Sequence, residues 1–487
     1  MNKTKVVALL AGLTLIGSST LVQAYQISPN PNPASGVISV TTLDAENAVA
    51  FENNGSLRIN NGGLLSNNSS GILNNNSSGT MSITTIGTLN NSGFLNNAGY
   101  ISNGGTINNS YIFNNTGLID FSNVTSGTLN NYNTVINYGS FVALAGGIVN
   151  NYNTFTNSSV GSGWIDNMNN YNTFVNSGNF FFGVLHNLGT VTNIVGADSG
   201  AGGIVNFGTL NNLGDFQLDA SGVSTNFGIL NNSGTLGGPG GPVLTNSGTI
   251  NNSGVLHVQI LHNTETLNNL GGNLGAMSLD NSGTLFNSGT ISSIGTYIQT
   301  AGHTINNGTM TKDSFDFQGG TLSGTGTMNG DVTIESGASV NPGNSPGTMT
   351  INGNLNSSGI FVFQIAGLGT GLFDVLGING NANFTGGNIQ FDFINGFSAA
   401  AGNFWDFMTA QTITGWDTLN FNFNGLGDGL GWNFTQLDTG GERLWITSTS
   451  VVSPVPEPHT YAMLLAGIGL IGFIARRKNR NGAMNFA

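Results

Sequence analysis

Gly87-Thr88-Leu89-Asn90-Asn91-Ser92, Gly93-Phe94-Leu95-Asn96-Asn97-Ala98, Gly99-Tyr100-Ile101-Ser102-Asn103-Gly104, Gly105-Thr106-Ile107-Asn108-Asn109-Ser110: four six-residue units follow one another without interruption. Each opens on glycine and places one aliphatic residue third. The unit has no i, i+3, i+4 apolar stripe, and its glycine and asparagine content opposes a helix. It reads as a strand of three or four residues with one inward apolar side chain. A turn that glycine and asparagine enter at positive φ would close it.

The period continues on both sides. Upstream, asparagine pairs begin at Asn53, Asn60, Asn67 and Asn74, seven apart. Downstream, Asn130, Asn150 and Asn169 each open an Asn-Asn-Tyr-Asn-Thr segment, and Asn211, Asn231 and Asn251 are twenty apart. Three short units therefore make one unit of about twenty, which predicts an all-β chain: a right-handed parallel β-helix (solenoid) with a ring of Leu, Ile, Val or Phe inside each coil. Equivalent asparagines would stack into ladders, each amide donating to the next coil ~4.8 Å away. About 260 residues at this stride give roughly thirteen coils and a rod on the order of 60 Å long. Low-complexity disorder is the alternative, but 38% hydrophobic and 6% charged residues is the wrong balance for a solvated coil. Phe180-Phe181-Phe182 and residues 237–242 break the period and read as loops bulging from the rod.

Lys3 and Lys5, the apolar stretch 6–16, and the small residues of Val22-Gln23-Ala24 form a signal peptide, here a signal helix, with cleavage expected between Ala24 and Tyr25. The 487 residues contain no cysteine, so no disulfide supports the exported fold. Between residues 25 and 453 stand three cations, Arg58, Lys312 and Arg443, against 21 acids, a net charge of −18. Such a body repels nucleic acid and anionic headgroups, and nucleic acid is therefore set aside as a partner.

At the other end, Val455-Pro456-Glu457-Pro458 precedes an apolar run, 461–475, that stops at Arg476, Arg477 and Lys478. Clustered cations pin the end of a membrane segment on the cytoplasmic side, so a transmembrane helix is expected over 459–475 with these three as its stop. The run is short for a permanent anchor. These residues resemble the PEP-CTERM sorting signal of Gram-negative bacteria; a plain C-terminal anchor is the alternative. The resemblance implies exosortase, a membrane-embedded thiol protease, as processing partner. It also implies an inner-membrane intermediate held transiently through 459–475, then a place at the cell surface or in the extracellular matrix, among exopolysaccharide.

From Gly319 the texture changes. Val340-Asn341-Pro342-Gly343-Asn344-Ser345-Pro346-Gly347-Thr348 and the aromatic strands after it resemble the solenoid end of autotransporter passenger domains. That resemblance implies a fold and no activity. Four domains follow: signal peptide 1–24, Asn/Gly-rich solenoid 25–318, solenoid end and cap 319–450, and sorting signal 451–487. Trp405, Trp416, Trp432 and Trp445 fall in the third and read as capping residues, with sugar stacking as the alternative.

Catalytic constellations are poor. Asp215 with Asp219, Asp313 with Asp316, and His257 with His262 are the candidate pairs, and none combines with a nearby Arg, Lys or Tyr to complete a site. Scattered histidines give no metal site, Gly369 to Asp374 lacks the tandem context of a calcium roll, and no cofactor is expected. Triplets such as Asn68-Ser69-Ser70 arise from the repeat itself. The expectation is a non-enzymatic, exported structural or adhesive protein that contacts exopolysaccharide or another glycan matrix in a biofilm or floc. A polysaccharide lyase or hydrolase on the same scaffold, or a surface adhesin, are the alternatives.

Overall fold

The computed structural model describes residues 25–449, apart from 42–43, 61, 123–126, 221, 239 and 439, together with the helix Pro458–Arg480. The signal segment with Ala24, and the motif residues Val455, Pro456 and Glu457, lie outside the described residues.

The repeat folds as its apolar spacing requires. In Thr88–Asn91, Phe94–Asn97 and Tyr100–Asn103 the second and fourth residues are buried and the first and third face outward. Three such strands close one turn of a three-sided solenoid. Each pairs in parallel with its counterparts one turn away, as Phe94–Asn97 does with Ile72–Asn75 and Ile112–Asn115. Strands make up 61% of the chain, in about 17 turns. One side forms a ladder of 19 strands from Ala50–Asn53 to Asn420–Asn424. At ~4.8 Å per turn the rod is roughly 80 Å long. It exceeds the thirteen coils read from the asparagine repeats because coiling continues past them, through Thr348–Asn352, Val375–Ile378 and Asn388–Phe393.

Fourth-position asparagines form the polar half of the interior. One column runs from Asn32 through Asn53, Asn75 and Asn97 to Asn306, each Nδ2 donating to the next Oδ1 at 2.7–3.0 Å. A second runs from Asn47 through Asn67 and Asn91 to Asn281, where it meets Gln299. Members of both are at most 1% exposed. An amide at such depth is tolerated because its second hydrogen is also used: Asn75 Nδ2, for example, donates to the Tyr100 carbonyl at 3.1 Å. That second bond also fixes which way round each amide sits. The third corner is mostly apolar, with Ile59, Ile83, Ala143, Ile165 and Phe182 in sequence along it. Outward-facing asparagines stack in the opposite sense, Asn96 donating to Asn74 at 2.8 Å and Asn114 to Asn96 at 2.9 Å.

The corners depart from the expectation of left-handed turns. Among the described residues only Ala145, Ser345 and Asn395 combine positive φ with a side chain, and none is a repeat asparagine. The corner glycines are needed for close approach instead. A Cβ on Gly117 would lie 2.1 Å from the Gly99 carbonyl oxygen, and one on Gly139 would lie 2.1 Å from that of Gly117. Corners stack backbone on backbone, which leaves no room for a side chain.

Phe180-Phe181-Phe182 is not a bulge. It belongs to the nine-residue strand Asn179–Asn187, in register with Ser162–Asn170, and Phe180 and Phe182 are core residues. The period breaks there because the strand runs through one corner, at Gly183, without a separate turn. Gly237, Gly240 and Gly241 fit the turn reading better, each with positive φ.

At the far end aromatic packing replaces the amides. Asn306 donates to the Thr327 carbonyl at 3.1 Å, and beyond it Phe361, Phe363, Phe391 and Phe407 fill the interior. Asp374 secures the Pro-Gly turn by accepting the Gly347 and Gln364 amides at 2.8 and 2.7 Å; burial still raises its carboxyl to about 6. The last layer reverses direction: Phe404–Thr409 pairs antiparallel with Glu442–Ser448, which pairs antiparallel with Leu430–Gln436. A hairpin cannot template another parallel turn, so coiling stops. Trp405 caps as expected, buried with Nε1 donating to the Gly367 carbonyl at 2.8 Å. Trp432 does not, being 41% exposed beside Phe423.

Candidate functional site: the tail helix and the outer faces

The tail is one helix, Pro458–Arg480, of 23 residues. Proline fits its first position, where the missing N–H has no helical partner to lose. Arg476, Arg477 and Lys478 fall in its last two turns, where cations offset the helix dipole; Arg476 is exposed. Among the described residues, no helix is long and apolar enough to cross a membrane. This corrects the expected transmembrane segment at 459–475. The uninterrupted apolar run is 15 residues, 461–475. At 1.5 Å per residue it extends only about 22 Å, against a hydrocarbon core of about 30 Å.

An apolar helix opened by a Pro-Glu-Pro knot and closed by three cations is the arrangement that decides the family of this segment. Residues 454–478 match the PEP-CTERM protein-sorting motif. No curated protein matches the chain. The PEP-CTERM motif implies an exported protein that is sorted by exosortase and anchored transiently to the membrane, here with a β-solenoid as its body. Tyr25, the expected first mature residue, opens the short strand Tyr25–Gln26 in register with Ala45.

The outer faces separate most of the candidate catalytic pairs. Asp313 accepts the Gly295 amide at 3.0 Å, while Asp316 accepts from Gln318 Nε2 at 2.8 Å. His262 Nδ1 sits 2.9 Å from Asp280 Oδ2, on a different side of the solenoid from His257, although both histidines share the strand Val255–Asn263. Asp215 stacks on Asp198, whose carboxyl is raised by partial burial and by that neighbour, and lines the same notch as His257. Asp219 faces an adjoining groove.

The body's three cations are occupied elsewhere. Lys312 is buried, donating Nζ to the Ala276 and Met277 carbonyls, and burial lowers its ammonium to about 8. Arg443 chelates Asp406 at 2.5 and 2.9 Å and lies 4.3 Å over the Phe404 ring. Arg58 Nε donates to Ser56 Oγ at 3.2 Å. None lines the groove or the notch that hold the acids.

Two features have no counterpart in the sequence reading. Tyr132, Tyr152 and Tyr171 stack face to face outside one corner, at 5.0 and 4.8 Å. Phe207 and Phe227 repeat the arrangement at 4.8 Å, and all five are exposed. Their ring faces are occupied by one another, so the ridge offers edges and hydroxyls. On another side Trp164 stands half-exposed beside Phe181, with a groove of about 430 Å³ running past them over Gly200 and Gly202 toward Gln217. The recurring Asn-Asn-Tyr-Asn-Thr segments signalled the tyrosine ridge. Nothing local signals the groove, because its residues are seventeen to twenty positions apart.

Proposed function

We propose that this chain is an exported, non-enzymatic rod that exosortase cuts near Pro458 and that then serves as a structural or adhesive component of a glycan matrix outside the cell. The match at 454–478 carries the export and sorting half of this reading. The short apolar run supports a tail that enters the membrane briefly, with Arg476 to Lys478 as its stop. The matrix half is supported by outer faces built of uncharged amides and hydroxyls, which suit many weak hydrogen bonds to sugar hydroxyls along the length of a rod. The groove and the notch that hold Asp219 and Asp215 are lined by neither lysine nor arginine, which supports a binding role over glycan cleavage there.

The test is to express the full chain in a Gram-negative host with and without its exosortase and to take the mass of the C-terminus. Loss of the helix only when exosortase is present is expected, and Glu457→Ala together with Pro456→Ala should block it. A tail retained in the presence of an active exosortase overturns the sorting role. New reducing ends after incubation with the producer's exopolysaccharide would overturn the non-enzymatic one.

A further inference from the structure

The groove beside Trp164 belongs to a longer pattern. Outward third positions on this side align turn by turn as Trp164, Phe181, Gly200, Gln217, Gly237, His257 and Gly275. From Phe181 onward, side chain and glycine alternate. Phe181, Gln217 and His257 therefore stand out on every second turn, roughly 9.6 Å apart. That repeat is close to the length of one disaccharide in an extended β-linked glycan. The Phe181 ring leans onto Gly200, its edge 3.0 Å from where a Cβ would stand, and the His257 ring lies beside Gly275 in the same way. Flat rings and an exposed carboxamide at Gln217 thus line a shallow trough, with glycines between them.

The structure assigns this trough, from Trp164 to His257, as a binding site for an extended β-linked polysaccharide of neutral or amino sugars. It rests on the matrix reading above and names the class of glycan and the residues that take it. Apolar sugar faces stack on aromatic rings, and Trp164 offers its ring half-exposed, tilted 34° from that of Phe181. Sugar hydroxyls pair with the Gln217 amide. Asp215 and Asp219 line the trough and neither Lys nor Arg does, in a body of net charge −18, so polyuronates are repelled and an amino sugar is favoured. The tyrosine ridge is the weaker rival, because Tyr152 has both ring faces covered and Tyr132 and Tyr171 each have one.

The experiment uses the full chain in detergent micelles, titrated with cellohexaose, chitosan hexamer and hexagalacturonate, alongside the producer's own exopolysaccharide. Trp164→Ala and Gln217→Ala are compared with Tyr152→Ala, and circular dichroism checks that each variant folds. Binding of cellohexaose or chitosan hexamer, weakened about tenfold by Trp164→Ala and untouched by Tyr152→Ala, is expected, with hexagalacturonate the weakest ligand. Glycan binding that survives both trough variants overturns this site and leaves the matrix role standing. Tighter binding of hexagalacturonate overturns the assigned sugar class. Failure to bind any of the glycans, the producer's included, removes the matrix reading and the trough together.

Discussion

The rod between Asn32 and Asn306 and the end between Gly320 and Ser448 fill the same three-sided section by opposite means. The rod uses two columns of hydrogen-bonded amides and one apolar corner, and every turn satisfies the next in the same way. The end discards the columns, packs Phe361, Phe391, Phe407 and Trp405 inside, and finishes in an antiparallel hairpin. A repeating column has no means of ending itself, because each amide offers the next turn the same donor; the second column ends only where Gln299 turns its Nε2 onto the Gly319 and Thr321 carbonyls. Termination therefore takes different chemistry: large rings that close the interior, and strands that run the wrong way for another turn.

The sharpest way to break this comparison is to disturb the stacking of corners within the rod. Gly228→Ala sets a Cβ 2.1 Å from the Gly208 carbonyl oxygen. It should cost about 3–5 kcal/mol, visible as a lower urea midpoint, since backbone cannot move aside in a stacked column. A loss below 1 kcal/mol would mean that the corners are loose. Next comes the amide column. Asn176→Ala removes the donor to Asn193 Oδ1 and to the Asp198 carbonyl, both deep in the rod. The expected loss is about 2–4 kcal/mol. Asn169→Ala, in the outer column, should cost about 0.5–1 kcal/mol by the same measurement. Equal losses would refute the distinction between inner and outer amides.

A last effect, set by pH, separates the end from the rod. Burial raises Glu442 from 4.5 to about 7 in the folded chain. Between those values the folded state holds a proton that the unfolded state has released, so this group favours folding most below pH 4.5, and the advantage is lost as pH rises through 7. Glu442→Gln should therefore stabilise the end by on the order of 2 kcal/mol at pH 8 and leave it unchanged at pH 4. Hydrogen exchange should place the change in 404–448 and not in the amide columns.

Much of the rod was legible because its determinants are local and repeated: one apolar residue and one asparagine per unit set both the strand and the side that faces inward. The roles of individual residues were less so. Glycine density suggested left-handed turns, yet Gly117 and Gly139 serve backbone stacking, a contact between residues a full turn apart. Phe180 to Phe182 looked irregular only because a strand can pass a corner without a turn. The sorting tail was readable as a contiguous motif. The trough was not, since Trp164, Phe181 and Gln217 come into line only once four successive coils have formed, and no single unit contains two of them.

The buried amides also give the rod an electrical sense of direction. Backbone carbonyls alternate along each strand and largely cancel, as in any sheet. The inner asparagines do not alternate: in both columns Nδ2 points toward the C-terminal end, turn after turn. Their dipoles add as peptide dipoles do in a helix, opposed only in part by the shorter, solvent-facing outer columns that run the other way, and leave partial positive charge toward the aromatic end and partial negative charge toward the Asn32 end. Side-by-side rods then attract when antiparallel and repel when parallel, so a chain with few formal charges still carries an instruction for how its neighbours lie.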